Sequence, residues 1–220
     1  MMRIWLLGAG RFGLKAMERL RPRFKTAEIT LIDQLQDRLK PFAEVGIRTI
    51  CADGITFLER NLIDADTPDW IIPMIPRHVA FEWIKSKLRD HGEIVEMPVP
   101  ETVAHMLPNP IRGKNGELYV SNADFLCPDD CPEPKDFCTY TGKPRPCILH
   151  EKLANLQLDG FRSIVVRSHQ LSPGLGGYRP TALFGALSEA SRTKKTILVS
   201  TACSCHGVIH ACRRIGVMSG

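Results

Sequence analysis

The chain has 220 residues, 44% of them hydrophobic and 24% charged, with a net charge of +5. That suffices for one large domain, or one domain with an embedded subdomain. No apolar run approaches the ~20 residues of a membrane helix, so direct membrane insertion is not expected, and the scattered basic clusters lack the aromatic platform expected of a nucleic-acid binder.

The opening, MMRIWLLGAGRFG, runs from a short apolar stretch straight into glycines and Arg11, which reads as a buried strand and a turn rather than a signal peptide. The turn is Gly8-x-Gly10-x-x-Gly13. A helical pattern follows through Leu14, Met17 and Leu20, then a second strand, EITLID, ending in Asp33. Strand, glycine turn, helix, strand and acid in this order form a dinucleotide fingerprint. Gly8 allows the tight turn, Gly10 admits the pyrophosphate and Gly13 lets helix and strand pack closely. Arg11 and Phe12 complete the turn, whose helix N-terminus offers N–H groups to phosphates. Asp33 is placed to accept ribose hydroxyls, which favours NAD over NADP; Arg38 complicates this, because a nearby arginine can hold a 2′-phosphate. Strands are expected at 46–50, 69–75 and 93–97, with a helix over 76–88 opened by Pro76. This alternation predicts an α/β fold with a doubly wound, mostly parallel Rossmann-like sheet.

The segments RIWLLGAGRFG, ITLID and GIRTICADG resemble the N-terminal nucleotide-binding lobe of the TrkA family, the regulators of potassium conductance, over residues 2–85. The resemblance implies nucleotide contacts at Gly8, Gly10, Gly13, Asp33 and Asp53, since CADG stands where that family commonly has Gly-Asp-Ala. It also implies a regulatory role beside a membrane-transport partner.

Residues 127–147 read CPDDCPEPKDFCTYTGKPRPC, with the spacing Cys127-x3-Cys131-x6-Cys138-x8-Cys147 and five intervening prolines. The prolines keep this loop out of helix and central strand. Eight cysteines without a secretion signal argue for a cytoplasmic protein whose clustered thiols serve metal or redox chemistry. The spacing matches neither the paired knuckles of zinc ribbons nor the bacterial ferredoxin run, so zinc and an iron–sulfur cluster both stay open.

In the second half, a strand centred on 163–166 delivers Ser168 and His169, and a glycine-rich turn at Gly174, Gly176 and Gly177 precedes a helix from about Pro180. A strand at 196–200 delivers Cys203, Cys205 and His206, with a short helix expected from Gly207. If these strands share one sheet with the first half, their carboxyl ends, with Arg77 and His78, converge on the nicotinamide side. Cys127, Cys131 and Cys138 would then bind metal with one residue of the 203–206 turn; the rival is a self-contained site using Cys147. Cys51 and Cys212 read as small buried hydrophobes, and His78 and His169 as weak catalytic candidates.

The expected organisation is a Rossmann lobe over 1–97, a proline- and cysteine-rich insert over 98–150 and a second α/β segment over 151–220. The expected function is an NAD(H)-binding redox protein with a cysteine-ligated metal or iron–sulfur site, served by a redox partner. The alternative is a non-catalytic nucleotide sensor of TrkA type with structural zinc. Homodimerisation is a further expectation, because exposed lobes of this type often pair.

Overall fold

The computed structural model describes residues 1–133 and 136–215. The chain begins with β1 (Arg3–Leu7), α1 (Arg11–Arg23), β2 (Glu28–Asp33), α2 (Gln36–Glu44), β3 (Arg48–Cys51), α3 (Gly54–Asn61) and β4 (Trp70–Pro73). Among the described residues these strands form a four-stranded sheet in the order β3-β2-β1-β4, every pairing parallel. That is one half of a doubly wound α/β fold. β1 and β2 are apolar on both faces, as a covered parallel strand must be. Ile4 and Leu6 pack under α1 and α2 with Met17, Leu20 and Leu39, while Leu7 and Ile32 pack on the other side with α3.

The remainder runs α4 (Val79–Leu88), β5 (Glu93–Met97), α5 (Glu101–His105), β6 (Ile111–Arg112), β7 (Leu118–Ser121), α6 (Leu149–Ala154), β8 (Phe161–Arg167), β9 (His169–Ser172), β10 (Leu175–Gly177), α7 (Pro180–Arg192), β11 (Thr196–Ala202) and β12 (His206–Ile215). A second, mixed sheet runs β6-β7-β12-β11-β8, with β5 beside the far half of β12. Only β8 and β11 run parallel in it; the other pairs are antiparallel. The helices α3, α4 and α7 lie between the two sheets, so that Phe81, Trp83, Leu183 and Ala186 share one core with Leu7 and Ile32 on one side and Val166 and Val199 on the other. A separate core joins α5 and α6 to the outer face of the second sheet through Val103, Leu149, Leu153, Leu198 and Ile209.

Several sequence expectations are corrected. The strands of the two halves do not share one sheet, and the strand at 93–97 pairs with β12 rather than extending the first sheet. The expected helix from Gly207 is β12, folded back along β11 by a turn in which Cys203 N–H donates to His206 C=O at 2.9 Å. The helix expected from Pro76 begins at Val79, after a turn closed by Arg77 N–H on Ile75 C=O at 2.8 Å. The glycine-rich turn at 174–177 belongs to a hairpin between β9 and β10, and the following helix opens at Pro180 as expected. Leu14 points outward at 48% exposure, and Cys51, on the edge strand β3, is exposed; Cys212 is buried as expected.

Because one helical layer serves both sheets, emptying it should loosen both together. Phe81 is fully buried in that layer. Phe81→Ala is expected to cost about 3–5 kcal/mol in a single unfolding transition; two separated transitions in a denaturant titration followed by circular dichroism would show the sheets to be independent.

Candidate nucleotide crevice and thiol pocket

The three glycines of the first turn differ in why the chain needs them. Gly8 has φ of +109°, and a Cβ there would lie 2.8 Å from Met74 O. At Gly13 a Cβ would lie 2.0 Å from Gly8 O, so the close approach of α1 to β1 excludes any side chain. Gly10 is under no such constraint: its φ is −73°, and a Cβ would meet only the Arg38 guanidinium, at 3.6 Å. The fold explains two glycines and leaves the third, where the fingerprint places a pyrophosphate, unexplained. Gly10 is also the N-cap of α1 and supplies no side-chain cap, so the first-turn N–H groups face the opening without one.

Two adjoining cavities form the crevice. One of about 500 Å³ is lined by Gly8, Gly10, Arg11, Phe12 and Met74 among others. The second, of about 370 Å³, is lined by Gln34, Asp53, Gly54 and Arg77. Asp33, Arg38, Ile75 and Pro76 belong to both. Both acids expected to meet the nucleotide have local work. Asp33 is 5% exposed; its Oδ2 accepts Ala9 N–H at 2.7 Å and its Oδ1 accepts Leu35 N–H at 2.8 Å. Asp53 is the N-cap of α3, where Oδ1 accepts the N–H groups of Ile55 and Thr56 at 3.1 and 3.0 Å, and Oδ2 accepts from Arg77 at 3.1 Å. Burial raises its carboxyl, but the Thr56 N–H and the Arg77 charge outweigh that and leave it below the usual value.

A third cavity, of about 310 Å³, shares Phe12 and Met74 with the crevice. Its walls include Cys127, Cys131, Cys203, Cys205 and His206, together with Lys15, Arg19, Glu133 and Ser168. The loop from 122 to 148 carries no helix or strand among its described residues beyond a bridge between Phe137 and Pro144. Asp129 docks it on α1: its carbonyl accepts from Arg19 Nη1 at 2.9 Å and its carboxylate pairs with Lys15. On the other side, Cys131 C=O accepts Gly174 N–H at 3.0 Å and Gln170 Nε2–H at 2.8 Å.

The thiols divide into two groups. Cys127, Cys131, Cys138 and Cys205 are close enough for their charges to interact: burial raises the Cys127 thiol most, and the other three raise it further. Burial also raises Cys205, against an Arg145 Nε–H bond to its sulfur at 2.8 Å. Cys138 is lowered, chiefly by the Thr141 N–H, then by the Thr141 hydroxyl and the Tyr140 N–H. Cys203 accepts the N–H groups of Cys205 and His206 at 3.4 and 3.3 Å, yet burial and then Glu133 push its thiol up to about 12. Cys147 lies apart; its sulfur donates to Asn122 Oδ1 at 3.3 Å and packs against the outer core. Among the described residues, no three Cys, His, Asp or Glu side chains close to metal-binding distance. The donor set is nonetheless soft and thiol-rich, and backbone N–H groups already aimed at sulfur suit thiolate ligands.

The histidines fare differently. His169 opens β9 and packs edge-on to Trp70, with its ring lowered first by burial and then by Arg167. His206 lines the thiol pocket and is likewise lowered by burial. His78 does not join the strand-end site. Its Nδ1 sits 3.0 Å from His210 Nδ1 and its Nε2 2.9 Å from Thr201 Oγ1, in the seam between α4 and the second sheet. Sequence reasoning missed Asp129, Lys15, Arg19, Glu133, Gln170 and Arg145. Only the Lys15/Arg19 pair, four apart on one helix face, left a readable signal.

A family model described as an uncharacterized protein C-terminal domain matches residues 80–215. A protein from Archaeoglobus fulgidus, itself described as uncharacterized, is 30% identical over 221 residues, covering 95% of this chain and 98% of its own length. The chain belongs to this family. No solved structure matches. The cysteine loop and the 203–206 turn lie inside the matched region; the glycine turn precedes it.

Two predictions follow from this geometry. Gly10→Ala should leave stability within about 1 kcal/mol, the scale of an N-cap change, while weakening dinucleotide binding at least about tenfold; Gly13→Ala should unfold the lobe. Equal loss of stability in both variants on thermal melts would remove the distinction. The second concerns the His78–His210 pair. Burial, then the His210 charge, hold His78 well below its usual value; burial lowers His210 against Glu117, Glu96 and Glu82, with Lys85 lowering it further. The unfolded chain therefore binds more protons below pH of about 6.5. Stability is full above that value and is lost as pH falls through it. His210→Phe should flatten part of that slope in urea titrations between about pH 5 and 8, the window around the ordinary histidine value; an unchanged slope would refute the assignment.

Proposed function

We propose that the protein binds a pyridine dinucleotide at the Gly8–Gly13 turn. In this reading Cys127, Cys131, Cys138 and Cys205 hold a metal centre, an iron–sulfur cluster or zinc, beside it, and the role is redox chemistry in the cytoplasm. The observation that carries the reading is the shared wall: the glycine turn lines one cavity, Cys127, Cys131 and Cys205 line another, and Phe12 and Met74 line both. When bound, the dinucleotide would supply hydride chemistry. The chain's part is to seat phosphates on the N–H groups of α1, to bring the thiols within reach through Asp129, and to hold Cys205 with Arg145. Gly10, a glycine that the fold itself does not need, supports the nucleotide half of the reading.

The test is iron, zinc and acid-labile sulfide analysis with a visible spectrum on anaerobically purified protein. Iron with sulfide, lost in Cys127→Ser and Cys205→Ser and kept in Cys147→Ser, is the expected outcome. Stoichiometric zinc, with dinucleotide binding but no turnover, would move the reading to a nucleotide sensor of the kind the TrkA resemblance implies. Neither metal, with the four thiols freely alkylated, would sink the metal centre.

A further inference from the structure

At the Asp33–Arg38 end of the crevice the carboxylate is occupied and the guanidinium faces the opening. A carboxylate that selects NAD must turn outward to accept the 2′-hydroxyl. Asp33 is enclosed at 5% exposure, and each of its oxygens already accepts a backbone N–H, from Ala9 and from Leu35. It ties the β1–α1 turn to the start of α2, and those donors offset the charge with which it would repel a phosphate.

What does reach the opening is Arg38. It stands in the first turn of α2, half-exposed, and lines both cavities of the crevice. Its Nη1 lies 3.8 Å from Asp33 Oδ2, an ion pair without a hydrogen bond, and among the described residues its guanidinium donates no hydrogen bond. Arg11 lines one cavity and Arg77 the other, the latter engaged by Asp53 and Glu82 at 3.1 and 3.4 Å. The acids of the crevice are therefore internally satisfied, while the planar, five-donor cation beside the ribose position keeps its donors available.

We infer that the dinucleotide is NADP(H), with Arg38 binding the 2′-phosphate of the adenosine ribose. This rests on the dinucleotide reading above and reverses the preference for NAD that Asp33 suggests from sequence.

The test is calorimetric titration of the full chain, purified anaerobically, with NADPH and with NADH. NADPH should bind about tenfold or more tightly, the scale of one charge-assisted hydrogen bond. Arg38→Gln should bring the NADPH and NADH affinities within about twofold of each other, with the loss falling mainly on NADPH, and leave the thermal melt unchanged, because an exposed charge on α2 has no part in the core. Equal or tighter binding of NADH by the wild-type chain would overturn the inference. So would an Arg38→Gln variant weakened equally for both, which would put Arg38 on a phosphate the two share. If the wild-type chain binds neither, the dinucleotide reading falls and this inference with it; binding of NADH alone leaves that reading standing.

Discussion

Asp129 holds the thiol-bearing loop against α1, and the geometry of the shared wall depends on it. Its carbonyl takes Arg19 and its carboxylate takes Lys15, both from α1. Opposite, Gly174 at φ of +65° comes so close that a Cβ would fall 1.6 Å from that same carbonyl oxygen. These contacts fix position, but they are individually weak. An exposed ion pair contributes about 0–1 kcal/mol and a hydrogen bond about 1, whereas fixing each residue costs about 1–2. A proline-rich segment over 122–148 that, among its described residues, has only the Phe137–Pro144 bridge therefore needs a further source of order. Cys127, close enough to feel the charges of Cys131 and Cys138 in the segment and of Cys205 on the β11–β12 turn, marks where a metal centre would supply it.

The two sheets meet through the shared helical layer. The seam also carries polar coupling: His78 follows directly on Arg77, which lines the crevice, and bonds Thr201, two residues ahead of Cys203. The contact between His78 and His210 sits on the stacked ring of Phe81, 4.5 Å from His210. Buried imidazoles with one another for partners are electrostatically costly when charged, so this seam favours neutral rings.

Much of the first sheet and its helices was legible because each part has a local signature. The apolar run of β1, the glycines, the period of α1 and the terminal acid of β2 all sit within one continuous stretch. The division into two sheets was not legible, because hydrophobic period reports which face of a strand is covered and not which sheet it joins. For the same reason the apolar run after Gly207 read as helix; only its pairing with β11, β7 and β5 makes it a strand. Asp33 and Asp53 were read as ligand contacts from their positions; in the fold one oxygen of each takes N–H groups two or three residues ahead, and the other takes Ala9 N–H in Asp33 and Arg77 in Asp53. Short acids at the ends of strands have that local competition in common. Cys51 misled in the simplest way: edge strands expose residues that a central strand would bury.

The thiol turns show how sequence-distant segments reach the same local solution. In Cys138-Thr-Tyr-Thr-Gly142 the sulfur takes N–H groups from the second and third residues after it, and in Cys203-Ser-Cys-His-Gly207 the same two positions donate to Cys203. Gly142 has φ of +68°, and a Cβ at Gly207 would press on Ala202 at 3.0 Å, so each turn ends where a side chain is disfavoured. Backbone N–H groups aimed at a sulfur stabilise its thiolate without adding a neighbouring cation. The two sulfurs differ in what opposes this. Both are partly exposed, but Cys138 is lowered by its N–H groups, whereas burial and Glu133 raise Cys203. A cation entering the pocket would reverse that balance at Cys203 by supplying the positive charge that burial withholds. The same local turn therefore lowers a thiol in the loop, while at the β11–β12 end burial and Glu133 outweigh it and raise one.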